Sequence, residues 1–230
     1  MANDLSIVLV HGFWGNSGHW AKVIPLLRDK GFANLYAVEN PLTSLGDDAG
    51  RTRQMVAQCA GPVLLVGHSY GGAVITEMGD MPNVAGLVYI AAFAPDAGES
   101  PGSISQALPP AGIDSLAPDS DGYLWIRQDA FHANFCPDLT ADEGLVMAVT
   151  QKAPLASTFG DAITAPAWRA KPCWYQISDN DRMINPENQR MMSARMNPRK
   201  IINLPASHAS LASQPEAVAA FIAEAAAAVG

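Results

Sequence analysis

Five residues, Gly67-His68-Ser69-Tyr70-Gly71, carry the first chemical signal in the chain. A serine hydroxyl is a weak nucleophile at neutral pH unless a base takes its proton. The G-x-S-x-G spacing suits a nucleophile on a sharp strand-to-helix turn. Such a turn lifts Oγ clear of a sheet and sets it at the positive end of the next helix. Flanking glycines let neighbouring segments approach without a Cβ clash. The run "VLLV" at residues 63–66 reads as a strand buried on both faces, and residues 70–79 read as a helix. The bland alternative is a tight turn with a capping serine; the strand before and the helix after favour the nucleophile.

There are five histidines, at positions 11, 19, 68, 132 and 208. His208, in "NLPASHASLASQP", follows the last expected strand and so stands at the edge where a base is needed. His11 lies in a loop before Gly12, His68 adjoins the serine and points elsewhere, His19 falls on a helix, and His132 lies in an irregular stretch. An imidazole base needs an orienting acid. "CWYQISDNDRMINPE" offers Asp179 and Asp181, and the second sits further into the turn, which gives it a slight preference. An oxyanion needs two converging backbone N–H groups. The amide of Tyr70 is one candidate. The other is Phe13, in the loop "HGFWG", where Gly12 and Gly15 let the backbone turn inward.

The elements that must hold these residues alternate. Strands are expected over residues 5–10, 34–38, 63–66, 84–91, 173–177 and 200–204. Between them lie helical patterns: one with Trp20, Val23, Ile24 and Leu27 on one face, then residues 47–60, 70–79, 186–196 and 214–229. Ser213 and Glu216 have capping-box spacing, with Pro215 suited to a first turn. Strand–helix alternation predicts an α/β fold: a doubly wound, mostly parallel sheet of about six strands, helices on both faces, and ligands beyond the carboxyl ends of the strands. The rhythm breaks over residues 95–171, where "SQALPPAGIDSLAPDSDG" reads as loop and "ADEGLVMAVTQKA" as a short helix. That stretch is too long for an ordinary loop. The expected division is a core of residues 1–94 and 172–230 with an inserted cap or lid over 95–171.

Composition narrows the function. The 230 residues are 49% hydrophobic and 16% charged, enough for a sizeable core. A formal net charge of -8 disfavours nucleic acid and anionic membranes as partners. No window reaches the roughly 18 apolar residues of a membrane span. Cys59, Cys136 and Cys173 are widely spaced, without zinc spacing, and the start "MANDLSIVLVHG" lacks a basic n-region and a long apolar core. These features point to buried reduced thiols and a cytoplasmic location. No phosphate-loop or metal-ligand motif is visible, so neither cofactor nor metal is expected.

Taken together, "VLVHGFWGNSGHW", "LVGHSYGGAV", "YIAAFAPDAGES", "YQISDNDRMINPENQ" and "SHASLASQP" make the chain resemble the α/β-hydrolase superfamily, over nearly its whole length. More narrowly it resembles the small-capped group of plant methyl-ester esterases, hydroxynitrile lyases and their bacterial relatives. The order Ser69, Asp181, His208 matches the family's. The group's T-x-D-x-x-I-P turn places the acid on Asp181, although Asn185 stands where proline is usual and Pro186 follows; Asp179 stays as the alternative. The early hairpin of larger relatives is not expected. The resemblance implies a carboxylic ester hydrolase working through an acyl-enzyme on a small or medium, mostly apolar ester. The pocket would be lined by Phe13 and Trp14 with Trp125, Phe131, His132 and Phe135, whose bland reading is simple packing. Hydroxynitrile-lyase relatives carry a threonine in the oxyanion loop and a lysine near the base. Here Gly12 and Phe13 fill the first region, and no lysine follows Leu204. Perhydrolysis on the same triad, or small-molecule binding with little turnover, are the other readings.

Overall fold

The computed structural model describes residues 4–230. β1 (Ser6–Val10) leads through a 3₁₀ turn (Ser17–Trp20) to α1 (Val23–Asp29). β2 (Asn34–Val38), α2 (Leu45–Val56), β3 (Val63–His68), α3 (Gly71–Met78) and β4 (Val84–Ile90) follow. Trp20, Val23 and Leu27 are buried as their spacing predicts, but the helix is interrupted between Trp20 and Val23. α2 starts earlier than its periodicity suggests because Ser44 caps it, accepting from the Asp47 N–H at 3.0 Å.

The next stretch contributes no strand to the main sheet. It holds α4 (Pro101–Ala107), a two-stranded hairpin of β5 (Leu116–Pro118) and β6 (Leu124–Ile126), then α5 (Gln128–Phe135) and α6 (Ala141–Val149). The sequence "SQALPPAGIDSLAPDSDG" is therefore not all loop: its start completes α4 and its later part forms β5. α4 escapes a compositional reading because a reciprocal Ser100–Ser103 capping box, with Pro101 in the first turn, starts it amid Gly and Pro. α6 is opened by a second such box, Thr140 with Glu143.

The alternation then returns with β7 (Cys173–Ser178), α7 (Pro186–Met196), β8 (Lys200–Leu204), the single turn α8 (Ser210–Ser213) and α9 (Pro215–Ala227). The Ser213–Glu216 capping box does not form. Ser213 ends α8, its N–H bonded to the Ala209 carbonyl, and its hydroxyl has no partner among the described residues. Gln214 takes the cap position of α9 without a side-chain bond.

The six main strands run in the order β2-β1-β3-β4-β7-β8, every neighbouring pair parallel. Side chains alternate along them. Ile7 and Leu9 join Leu64, Val66 and Val88 in a core with α1 and α9, whereas Val8 and Val10 join Leu65 and Leu87 on the side of α2, α3 and α7. Two buried faces explain the continuous apolar runs. β1 sends the chain outward to β2, and the chain then crosses back to β3 on the other side of β1. That reversal opens a crevice at the carboxyl ends of β1 and β3. The register sets Val10 opposite Gly67, so the loop after β1 and the turn after β3 emerge side by side. Cys59, Cys136 and Cys173 are all buried and unpaired.

The close approach of β1 and α3 depends on Gly71. A Cβ there would overlap the Val10 carbonyl oxygen and lie 2.9 Å from that of His11. Backbone cannot yield as a side-chain tip can. Gly71→Ala is expected to destabilise the fold by about 1–3 kcal/mol, measured by urea unfolding; an unchanged midpoint would show that the helix can shift freely.

Candidate active site

Ser69 follows β3 with φ at +55°, the left-handed region that a side chain disfavours. Its surroundings impose that conformation. The Ser69 N–H donates to the Ile90 carbonyl at 3.2 Å, and its carbonyl accepts from the N–H groups of Gly72 and Phe93, both at 3.0 Å. The loop after β1 lies directly on the serine: a Cβ at Gly12 would come 2.5 Å from the Ser69 Cβ. Only glycine permits that contact.

The turns after β7 and β8 bring two more side chains to the serine. His208 Nε2 lies 2.8 Å from Ser69 Oγ, and its Nδ1 lies 2.8 Å from Asp181 Oδ2. Both side chains are fully buried. A carboxylate only accepts, so the imidazole proton belongs on Nδ1 and leaves Nε2 free to accept from the serine hydroxyl. Asp181 is fixed in turn. Its Oδ1 accepts from the N–H groups of Met183 (2.7 Å) and Ile184 (2.9 Å), and its Oδ2 from the Gln189 side chain at 2.8 Å. Asp179 faces elsewhere, bonded to Arg190 at 2.5 Å and Asn203 at 3.1 Å.

Three residues to which the sequence assigned no role hold the His208 loop and its acid. Gln189 grips Asp181 from α7. The His68 Nε2–H donates to the His208 carbonyl at 2.8 Å, which ties the serine turn to the base loop. Asp138, between α5 and α6, accepts from the Ser207 N–H at 2.8 Å and its hydroxyl at 2.5 Å. Sequence separations of 140 residues for His68 and 69 for Asp138 leave no local pattern to find.

Tyr70 follows the serine directly and Phe13 follows Gly12, and neither backbone amide donates a hydrogen bond to protein among the described residues. The two aromatic rings stack at 3.8 Å with an 11° tilt. Beside Ser69 lies a cavity of about 300 Å³, walled by Phe13, Trp14, Ile113, Leu124, Phe159 and Met183 among others, with no charged residue in its lining.

Of the six side chains expected to line the pocket, Phe13 and Trp14 do so and the other four do not. Trp125 is 39% exposed and donates its indole N–H to Asp119 at 2.8 Å. Phe131 and Phe135 are buried and stack on each other at 4.8 Å, with Phe135 edge-on to the His208 ring at 4.9 Å. His132 bonds the Leu139 carbonyl at 2.9 Å, bracing the α5–α6 turn. The α5 aromatics point behind the base because they form the apolar face of a helix that the sequence did not announce. Aliphatic residues of the hairpin and its approach make the cavity wall instead. Among the described residues, no three His, Cys, Asp or Glu side chains gather as a metal site, and no helix is long and apolar enough to cross a membrane.

Residues 7–221 match the pattern of the alpha/beta hydrolase family, and the chain belongs to that family. It is 30% identical to the pyrethroid hydrolase of Sphingobium wenxiniae, over 95% of this chain and 86% of that one. It is 27% identical to the probable hydrolase R7 of a Phoma species, over 95% of this chain and 96% of the relative. The crystal structure of polyneuridine aldehyde esterase has the same fold, with a TM-score of 0.81 at 16% identity, covering 96% of this chain and 98% of that one.

Three further imidazoles surround the site. Burial lowers His11, takes His68 well below its ordinary value, and pushes His19 down to about 3. Unfolded, these groups take up protons below about pH 6.5; folded, burial defers their protonation to lower pH. Folding stability is therefore lost as pH falls through that value, by up to about 1.4 kcal/mol per pH unit for each group. Asp48 works the other way: burial raises it to about 6, so the folded state binds its proton first. Three imidazoles outweigh one carboxyl. The urea midpoint should fall between about pH 7 and about pH 5, and His19→Phe should make that fall shallower. A midpoint that rises over this interval would contradict the burial of neutral imidazoles.

Proposed function

We propose that this chain hydrolyses small or medium, mostly apolar carboxylic esters through a serine acyl-enzyme. The observation that carries this reading is the chain of contacts Ser69–His208–Asp181, at 2.8 Å and 2.8 Å, beside two unengaged amides and an uncharged cavity. His208 takes the Ser69 proton as Oγ attacks the ester carbonyl. The N–H groups of Phe13 and Tyr70 hold the oxyanion. His208 then protonates the leaving alkoxide, and water repeats the cycle on the acyl-enzyme. Asp181 keeps the imidazole in the tautomer this requires and stabilises the imidazolium.

The pyrethroid hydrolase and the polyneuridine aldehyde esterase named above support ester chemistry on this fold. The uncharged cavity lining supports an apolar substrate class: a charged acyl or alkyl group would be buried there without a partner, which is costly. In this reading the inserted residues 95–171 act as the cap, because Ile113, Leu116, Leu124 and Phe159 supply much of that lining.

Two measurements test it. Ser69→Ala should fold and lose kcat on p-nitrophenyl esters by roughly a millionfold, together with labelling by a fluorophosphonate probe. A folded variant that keeps more than a small fraction of the activity would refute the nucleophile assignment. Phe159→Ala should shift relative rates among acyl chain lengths by about tenfold or more, while Trp125→Ala should not. Equal profiles for both variants and wild type would place substrate outside this cavity.

A further inference from the structure

One buried carboxyl takes no part in the proposed reaction. Asp48, on α2, has no exposed surface. Its Oδ2 accepts from the Tyr70 hydroxyl at 2.7 Å and its Oδ1 from the Leu42 N–H at 2.8 Å. The nearby Lys152 ammonium pairs with Glu39 at 3.4 Å instead. Burial raises the carboxyl to about 6. A carboxyl without a cation is a costly occupant of an apolar interior. A leucine or alanine would pack there without that cost, so the two hydrogen bonds need a reason.

The reason lies at the far end of the Tyr70 side chain. Its backbone amide adjoins Ser69, and its ring lies flat on that of Phe13, which carries the other candidate amide. The Phe13 ring touches Phe159 at a centroid distance of 4.4 Å, on the cavity side. The stack thus has an aromatic neighbour on the substrate side and a single polar anchor behind. Leu42, which donates to the same carboxyl, has φ at +63°, so Asp48 also secures an otherwise unfavourable loop.

Resting on the hydrolysis reading, we propose that Asp48 is a positioning residue for the oxyanion site: through the Tyr70 hydroxyl it fixes the Tyr70–Phe13 stack and so the spacing of the two amides. Amides aimed at the position of the developing oxyanion matter more in the transition state than in the bound ester. Loss of the anchor therefore lowers kcat and leaves KM nearly unchanged.

Three variants separate this from a structural role. Asp48→Ala removes the anchor. Tyr70→Phe removes only the hydroxyl and keeps the ring and the amide. Asp48→Asn restores both bonds, its carbonyl accepting from the Leu42 N–H and its amide donating to the tyrosine oxygen. Each is assayed for kcat and KM on a p-nitrophenyl ester and for inhibition by an alkylboronic acid. The boronic acid accepts Ser69 Oγ into its vacant orbital while the serine proton passes to His208, giving a tetrahedral anion with one oxygen in the oxyanion site. Asp48→Ala and Tyr70→Phe should lose kcat and boronate affinity by the same factor, about 10- to 100-fold, with KM within about twofold of wild type, and Asp48→Asn should stay close to wild type. If Asp48→Ala does not fold, Tyr70→Phe and Asp48→Asn carry the test. Wild-type kcat and boronate affinity in Tyr70→Phe, a loss confined to KM, or an Asp48→Asn as slow as Tyr70→Phe overturns the proposal while hydrolysis stands. A wild-type chain that neither hydrolyses the ester nor binds the boronate overturns both.

Discussion

A single strained residue organises the molecule. Ser69 has a backbone conformation that costs roughly 1–2 kcal/mol for a residue with a side chain, and it keeps that conformation because three backbone hydrogen bonds, to Ile90, Gly72 and Phe93, leave it no other. The partners come from the adjacent strand, the following helix and the chain beyond β4. The turn can therefore exist only once the parallel sheet has formed. Gly12 and Gly71 then let β1 and its loop close over the turn. The strain is local, but its support is the whole carboxyl edge of the sheet.

The same edge is stitched to the inserted segment. The Trp14 indole donates to the Leu124 carbonyl at 2.7 Å, joining the loop after β1 to the hairpin. The Gly112 N–H donates to the Arg182 carbonyl at 2.7 Å, and the Arg182 side chain reaches Asn134 at 3.0 Å, joining the acid turn to two separate parts of the insertion. Asp138 holds the base loop through Ser207. Each loop that carries a candidate catalytic group thus has its own bond to residues between β4 and β7. The insertion serves as a brace for the geometry as well as a wall for the cavity.

What the sequence makes legible follows from how local each signal is. The central strands β1, β3 and β4 were plain because burial on both faces writes an unbroken apolar run, and the turn at Ser69 was plain because its glycines lie within five residues. His208 was reachable from its place after the last strand, whereas Asp181 could be set ahead of Asp179 only slightly, since two acids one residue apart both sit at the strand end. Only the fold turns Asp181 inward toward the Met183 and Ile184 amides and sends Asp179 to Arg190. The pocket was misread for a similar reason. Aromatic residues stand out in a sequence, but Phe131 and Phe135 belong to the inner face of α5, while much of the wall is built from prolines and aliphatics that look like loop, beside Phe159. Gln189, His68 and Asp138 act through contacts between distant segments, and no window of sequence contains them.

The neutrality of the neighbouring imidazoles bears on how a proton moves in this site. His11, His19 and His68 crowd around His208 within a few side chains, yet burial withholds charge from all three. His68 even directs its one N–H at the His208 carbonyl, so it offers no lone pair there. In the reaction proposed above, a proton moved from Ser69 onto His208 would find neighbouring imidazoles that burial makes poor bases. It would stay on one nitrogen, between the serine oxygen and the departing atom. The imidazole cluster would then work as insulation, confining the forward and return transfers to a single donor–acceptor line.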